Sequence, residues 1–157
     1  MSALGDLVRD FAIGRRNFRV GRGECSDLVI QALQVAGGRS SFPSQHGSTV
    51  WGTPIPLASA EPGDILQMRN YRVVIRNIDN TGFIENRGHP HHSAIVIRNL
   101  GNGVLQVAEQ NMVYQGADPA SVRTVGIATL YVTNQVTSDR RTITVRGEIW
   151  AYRPQAQ

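Results

Sequence analysis

The sequence predicts an α+β fold in which two helices come first and an antiparallel β-sheet follows. Helical periodicity is confined to the first third of the chain, and β-rich segments separated by turn residues fill it from residue 61 onward. No repeat, low-complexity tract or Pro/Gly-rich linker divides the chain. Because 157 residues can bury one sizeable core, we expect a single domain over residues 1–157.

Two stretches have the periodicity of amphipathic helices. Apolar residues recur at helical spacing from Leu4 to Phe11, and Ser2 is placed to cap this first helix. A second helix is predicted from Glu24 to Ala36, because its apolar residues fall on one face. Gly37-Gly38 follows directly, and a glycine adopts the left-handed conformation that ends many helices.

The remainder of the chain is predicted to form strands joined by tight turns. Asp79-Asn80-Thr81 and Gly101-Asn102-Gly103 each separate two β-rich segments, so each predicts a hairpin. Pro62-Gly63-Asp64 predicts a further turn, and this role for Asp64 is favoured over that of a second reactive carboxylate. The predicted strands are Ile65 to Met68, Tyr71 to Ile78, Gly82 to Glu85, Ser93 to Leu100, Val104 to Gln110, Val122 to Val132 and Thr142 to Tyr152.

Composition and charge limit the partners that we expect. The net charge is +4, and all 16 basic residues are arginine, a balance that favours anionic partners. The arginines are scattered, however, and aromatic residues at 6% are too few for base-stacking platforms, so no nucleic-acid binding is expected. No apolar run is long enough for a membrane span. The oligomeric state is left open.

The N-terminus gives an expectation about location. Asp6 and Asp10 interrupt it and it has no continuous apolar core, so it does not resemble a signal peptide. We therefore expect a cytoplasmic protein, or one released by lysis or by a dedicated secretion system.

Cys25 is the candidate nucleophile. One cysteine excludes an internal disulfide framework and a multi-cysteine zinc site. Cys25 lies near the start of the second predicted helix, where the helix dipole favours the thiolate and unpaired backbone N–H groups can stabilise an oxyanion. The alternative is a buried, unreactive cysteine.

His92 is the candidate base, because it opens a predicted strand and can present its ring to a neighbouring helix terminus. A surface histidine is the alternative. His89, His91 and His92 together also suggest a metal site, but their spacing matches no standard zinc pattern and Pro90 restricts their geometry. His46 has no partner readable from the sequence and is expected at the surface.

Glu109 and Asn111 are the candidate orienting residues. They lie two apart on a predicted strand and therefore share one face. The hairpin at residues 101–103 returns this strand to the neighbourhood of His92. A carboxylate or amide there could hold the imidazole tautomer, and Glu109 is the first choice because its hydrogen bond would be charge-assisted.

These motifs, in this order, carry a family resemblance. The segments Glu24-Cys25-Ser26-Asp27-Leu28-Val29, Glu61-Pro62-Gly63-Asp64, His92-Ser93-Ala94-Ile95-Val96 and Glu109-Gln110-Asn111 resemble those of the CHAP family of cysteine, histidine-dependent amidohydrolases and peptidases. The cysteine segment is also similar to that of NlpC-type cell-wall endopeptidases, and the final segment, residues 147–154, is similar to the last strand of CHAP domains.

The resemblance implies a papain-like fold and hydrolysis of amide bonds in peptidoglycan, by an N-acetylmuramoyl-L-alanine amidase or a peptide-bridge endopeptidase. The residues themselves leave another amide substrate open. The resemblance also implies Cys25 as nucleophile, His92 as base, and Glu109 with Asn111 as orienting groups, with no cofactor. Trp51 stands where such domains often have a tryptophan, so it either binds substrate in the groove or packs in the core. An acyltransferase or deamidase, and a non-catalytic binding or structural module, are the alternatives on the same fold.

Three features depart from that resemblance. Asp27 replaces a small residue and places a negative charge near the thiol, which would oppose thiolate formation. The segment 69–91 is longer than in the family and is expected to be an added hairpin. A second added segment covers residues 112–140.

Overall fold

The fold is a curled antiparallel β-sheet with two helices against it. The structure is a computed structural model that describes residues 3–42, 44–45 and 48–157, and in it the side chains of Gln45 and His89 are not described. The helices are α1 (Ala3–Gly14) and α2 (Cys25–Ala36), with short 3-10 turns at Leu57–Ser59 and Pro119–Ser121. None of these helices is long and apolar enough to cross a membrane.

In the part of the chain that the structure describes, nine strands follow the helices. They are β1 (Ser44–Gln45), β2 (Ser48–Thr49), β3 (Thr53–Ile55), β4 (Ile65–Arg76), β5 (Gly82–Gly101), β6 (Val104–Glu109), β7 (Gly126–Tyr131), β8 (Gln135–Val136) and β9 (Thr142–Arg153). The main sheet has the order β3-β9-β4-β5-β6-β7, with β8 paired to β9, and β1 pairs with β2 separately. The predicted order of helices and then sheet is therefore confirmed, although the chain is mostly β.

The ends of α2 follow from local sequence. Glu24 is extended, with φ −78° and ψ 155°, so it is the N-cap and Cys25 is the first helical residue. The helix thus begins one residue later than predicted. Gly37 has φ 82°, and its N–H closes the last turn, as a C-terminal glycine does. The predicted cap at Ser2 and the predicted surface position of His46 lie outside the described residues.

The first predicted hairpin is longer and more regular than expected. The two segments predicted before it join into β4, and the two after it join into β5. The pairing of β4 with β5 shifts register between Arg69 and Tyr71, where Asn70 has φ 53° and Gly88 has φ 93°. The segment 69–91 is accordingly a hairpin, as predicted, but one that continues the main sheet through a β-bulge.

Alternation along the strands divides the core into two clusters. Ile95 and Ile97 of β5 pack with both helices, while Ala94 and Val96 pack in a second cluster enclosed by the curl of the sheet. Helix α2 lies against the first face through Leu28, Val29, Ala32 and Leu33, all fully buried. This packing fixes the start of α2 beside β5.

The second hairpin brings β6 back along β5. Asn102 and Gly103 both have positive φ, 54° and 73°, the conformation that a tight Asn-Gly hairpin turn requires. The resulting register places Glu109 opposite Ala94, two residues from His92. Counting outward from the turn therefore predicts correctly that this end of β6 lies near His92.

Asp64 has a structural role, as the predicted turn implied. It is buried, accepts a hydrogen bond from the backbone N–H of Glu61 at 2.7 Å, and pairs with Arg153 at 3.0 Å. These contacts tie the turn before β4 to the end of β9.

Candidate active site

Cys25 lies at the N-terminus of α2, where the loop before the helix is held by side chains. The carboxylate of Asp27 accepts hydrogen bonds from the backbone N–H groups of Arg22 at 2.9 Å and Glu24 at 3.4 Å. Asp27 therefore caps the helix. The negative charge of Asp27 was expected to oppose formation of the Cys25 thiolate. The pKa of Cys25 is nevertheless lowered, so other groups outweigh that charge.

Gln110 fixes the same loop from the sheet. Its fully buried amide accepts from the backbone N–H of Val20 at 2.7 Å and donates to the carbonyls of Val20 at 3.1 Å and Glu24 at 2.8 Å. One side chain thus satisfies three backbone groups just before the nucleophile. The sequence analysis did not single out Gln110, whose place between Glu109 and Asn111 directs it to the opposite face of the strand.

The thiol of Cys25 and the ring of His92 line the same cavity and interact with each other, since each shifts the pKa of the other. Burial raises the pKa of Cys25, but the hydrogen bond and charge of His92, with backbone hydrogen bonds from Ser93 and Ser26, outweigh it and lower the pKa. Burial likewise lowers the pKa of His92, but its hydrogen bonds to Cys25 and Glu109 outweigh it and raise the pKa to about 9. Both shifts favour a thiolate–imidazolium pair near neutral pH.

Glu109 is the third member of this chain of contacts. Its Oε1 lies 2.8 Å from Nε2 of His92, and the whole side chain is buried. Since Nε2 faces Glu109, Nδ1 is the ring nitrogen left for the thiol. Burial would raise the pKa of Glu109, but the charge of Arg87 and the hydrogen bond with His92 outweigh it and hold the pKa well below its usual range.

Two residues that the sequence analysis did not single out complete the surroundings of Glu109. Arg87 donates from Nε to Oε1 at 2.9 Å and from Nη2 to Oε2 at 2.8 Å, with its own side chain fully buried. The hydroxyl of Tyr114 donates to Oε2 at 2.8 Å. Arg87 comes from the segment 69–91 and Tyr114 from the segment 112–140, the two segments that depart from the family resemblance.

Asn111 and Trp51 lie elsewhere than expected. The amide of Asn111 donates to Oε2 of Glu24 at 3.1 Å, and Nε2 of His92 is held by Glu109 instead. Trp51 is 3% exposed and donates from its indole N–H to Gln67 at 2.8 Å. The ring packs in the core, as in the second of the two expectations for Trp51, rather than at the surface of the groove.

The histidine cluster does not form a metal site among the described residues. No group of three potential ligands is close enough for one there, and the side chain of His89 is not described. Both ring nitrogens of His92 already have partners, Cys25 and Glu109. The exposed ring of His91 lies 3.3 Å from the hydroxyl of Ser48.

A cavity of about 620 Å³ opens above Cys25 and His92. Its lining includes residues 84–86 and Gly88 of the added hairpin, together with residues 111–113. Glu24 lies at the rim, where it pairs with Arg123. The half-buried Cys25 is therefore reached from solvent through this groove, while His92, which is 2% exposed, lies almost wholly beneath its surface.

Comparisons with known proteins agree with the fold and narrow the family. No solved structure matches the chain. One curated relative, "Altered inheritance of mitochondria protein 3" from the yeast Debaryomyces hansenii, is 28% identical over 124 residues. These cover 69% of this chain and 13% of that protein, so the chain spans a small part of its relative.

A family model, described as the AIM3/BBC1 cysteine proteinase-fold domain, matches residues 1–157. It supports the papain-like fold that the sequence predicted, but it is a different family from the CHAP and NlpC-type families that the motifs resemble. From this match over its whole length, the chain belongs to the AIM3/BBC1 cysteine proteinase-fold domain family.

Proposed function

We propose that this domain is a cysteine hydrolase that cleaves amide or peptide bonds with Cys25, His92 and Glu109. The observation that carries the proposal is the unbroken chain of contacts from the thiol through the imidazole to the buried carboxylate. A nucleophile, a base and an orienting group are the three parts of a triad. The position of Cys25 as the first residue of α2 adds support, because the helix dipole favours a thiolate there.

In the first half of the reaction, His92 takes the thiol proton at Nδ1 and the sulfur attacks the carbonyl carbon of the substrate. The developing oxyanion is stabilised by backbone N–H groups at the start of α2. The C–N bond then breaks, the leaving nitrogen takes the proton from His92, and the acyl group remains on sulfur as a thioester.

In the second half, neutral His92 removes a proton from water, which attacks the thioester carbonyl. The C–S bond breaks, the acid is released and the proton returns to the Cys25–His92 pair. Proton transfer of this kind contributes about 10²- to 10⁴-fold to a rate. Every step uses groups of this chain and water.

We propose a polypeptide as the substrate class. The groove is lined by both apolar and polar side chains, since the exposed Ile84 and Val113 contribute to it together with Asn86 and Asn111. Such a surface suits an extended peptide. Peptidoglycan was expected from the CHAP resemblance, but neither the AIM3/BBC1 family nor the yeast relative supports it. The proposal therefore keeps the cysteine-dependent amide hydrolysis that the resemblance implies, and it replaces peptidoglycan by a polypeptide as the substrate.

The test is acylation of Cys25 by an activated ester, p-nitrophenyl acetate, followed by intact-mass spectrometry. The wild type should gain one acetyl group on Cys25, then lose it again with turnover. Cys25→Ala should gain none, and His92→Ala should react at least about tenfold more slowly. Urea-unfolded wild type is the matched control, because it has the same thiol without the site.

Each alternative predicts a different result. A non-catalytic module would react no faster folded than unfolded, and this result would end the hydrolase proposal. An acyltransferase would keep the acetyl group in water and release it rapidly to an added amine. Peptide substrates are then sought by incubating the wild type and Cys25→Ala with a defined peptide library.

A further inference from the structure

The carboxylate of Glu109 is held on every side by donors. Oε1 accepts from His92 and from Nε of Arg87, and Oε2 accepts from Nη2 of Arg87 and from the hydroxyl of Tyr114. A carboxylate with both oxygens occupied cannot rotate without losing charge-assisted hydrogen bonds. The direction of Oε1 toward His92 is therefore fixed by Arg87 and Tyr114.

Arg87 is itself firmly placed. Its guanidinium lies 5.5 Å from the centre of the Tyr71 ring and 3.4 Å from the carboxylate of Glu85. The Tyr71 hydroxyl is anchored on the carbonyl of Tyr131 at 2.7 Å. A fully buried arginine is rare unless it is paired, and here its partner is a residue of the site.

An irregular backbone puts Arg87 and His92 on the same side of the sheet. They are five residues apart, so a regular strand would direct them to opposite faces. Their partners on β4, Tyr71 and Met68, are three apart and yet pack in the same core cluster, because the register shifts at Asn70. The bulge thus turns Arg87 inward, toward the carboxylate that His92 also contacts.

Tyr114 approaches Glu109 from the other added segment. It follows Met112 and Val113, which line the groove, and its hydroxyl donates to the buried carboxylate of Glu109. Its ring also packs against Gly126, where a side chain would approach within 3.1 Å. The short segment 112–114 therefore contributes both to the lining of the groove and to the hydrogen bonds of the Glu109 carboxylate.

We propose that Arg87 and Tyr114 are positioning residues, which keep Glu109 ionised and directed at Nε2 of His92. They extend the site from three residues to five. The inference rests on the proposed function for its meaning, but its test does not need a substrate. Arg87 supplies the compensating charge and a two-pronged contact, and Tyr114 fixes the second oxygen.

The test measures how the rate of Cys25 alkylation by iodoacetamide depends on pH, since only the thiolate reacts. Arg87→Met should move the midpoint of thiolate formation upward, by about tenfold in acid constant. The sign is the same by either route. If Glu109 stays ionised, the substitution removes the positive charge of Arg87, which favours the thiolate. If Glu109 takes a proton instead, His92 loses its anionic partner and is no longer held as an imidazolium. Either change moves the midpoint upward.

Two further variants separate charge from position. Arg87→Lys keeps the charge without the two-pronged contact, so its midpoint should lie between those of the wild type and Arg87→Met. Tyr114→Phe removes one hydroxyl and should shift the midpoint in the same direction by less, because Arg87 still holds Oε2. If Arg87→Met does not fold, these two milder variants decide the question.

Tyr131→Phe is the matched control. Its hydroxyl also has an arginine partner, Arg141 at 3.3 Å, but Tyr131 lies at the far end of β7, opposite Val104 rather than Glu109. It should keep the wild-type profile. Melting temperatures of all variants measure stability separately. A residue with a purely structural role would change the melting temperature and leave the midpoint of thiolate formation unchanged.

The outcomes separate this inference from the proposed function. If wild-type Cys25 titrates like an ordinary thiol, the hydrolase proposal itself fails. If the wild type has a lowered midpoint, and the folded Arg87 and Tyr114 variants melt lower but keep that midpoint, the two residues are only structural and the inference is overturned.

Discussion

Replacing Glu109 by glutamine is the most direct perturbation of this site. Glutamine has almost the same shape, but it is neutral and presents one oxygen and one NH₂ group. All the partners of Glu109 are donors: His92 and Arg87 to Oε1, and Arg87 and Tyr114 to Oε2. In either orientation of the glutamine amide, the donors to one of the two positions must therefore face the NH₂ group, which cannot accept their hydrogen bonds.

The effect on chemistry can be estimated from the imidazole. With a pKa of about 9 instead of 6.5, His92 favours its protonated form by about 3 kcal/mol more than a free ring does, and Glu109 supplies part of this. A neutral partner also permits the tautomer with Nδ1 protonated, which cannot accept the thiol proton. Such a change costs up to about 10⁴-fold in serine proteases, and we expect about 10³-fold here.

The same substitution should lower stability in a pH-dependent way. Arg87 would be left buried beside a neutral group, at a cost of about 3 kcal/mol at pH 7. Because the pKa of Glu109 is held far below its usual range, its contribution is present above the unfolded pKa and is lost as the pH falls. The difference in unfolding free energy between wild type and Glu109→Gln should therefore shrink below about pH 5.

Alkylation of Cys25 and urea unfolding, at pH 7 and at about pH 3.5, test both parts. Glu148→Gln is the matched control, since it breaks the half-exposed pair of Glu148 with Arg69 by the same change. It should cost less than about 1 kcal/mol and leave alkylation unchanged. If Glu109→Gln reacts at pH 7 like the wild type and loses no more stability than this control, the reasoning about the buried carboxylate is refuted.

Three other substitutions follow from contacts around the site. Asn111→Gly, chosen because Asn111 has φ 59°, removes only the contact with Glu24 and should leave Cys25 alkylation within about threefold of wild type; a loss like that of Glu109→Gln would make Asn111 an orienting group. Trp51→Phe loses the hydrogen bond to Gln67 and should lower the unfolding free energy by about 1 kcal/mol without changing alkylation, which a groove residue would change. Gln110→Leu leaves three backbone groups of the loop before α2 without their partner, so urea unfolding should show a loss of about 1–3 kcal/mol, together with slower alkylation; an unchanged urea midpoint would contradict this.

Local signals explain which parts of the fold were predictable. The end of α2 at Gly37 and the turn at Asn102-Gly103 depend on backbone conformations that few residues adopt, so the sequence specifies them closely. The hairpin then determines which residues of β6 approach His92, and the distance along the strands identifies Glu109 and Asn111. Choosing between these two required the structure: the predicted strand put both on one face, but β6 ends at Glu109, and Asn111, with φ 59°, lies beyond it.

Arg87 could not be found by the same reasoning. An arginine in a β-rich segment is ordinarily a surface residue, and strict alternation places it on the face opposite to His92. Only the bulge reverses this. Gly88 and Pro90, which interrupt the segment, are a weak signal of such a break. Tyr114 gave no signal, because its segment has no periodicity that assigns it a neighbour. The sequence also left open whether Trp51 lies in the groove or in the core, because its hydrogen-bond partner, Gln67, is brought beside it only by the folded sheet.

The two segments that depart from the cell-wall hydrolases therefore change the site in a specific way. The added hairpin, residues 69–91, contributes Arg87, which contacts Glu109, and Ile84 in the cavity lining. The segment 112–140 likewise contributes Tyr114, which contacts Glu109, and Val113 in the lining. Each segment thus contributes both to the contacts of the buried carboxylate and to the lining of the cavity. The reacting groups keep the arrangement that the motifs imply, while the walls around them are particular to this chain. A resemblance limited to the motifs therefore bears on the groups at the centre of the site, and it does not specify the residues that line the cavity around them.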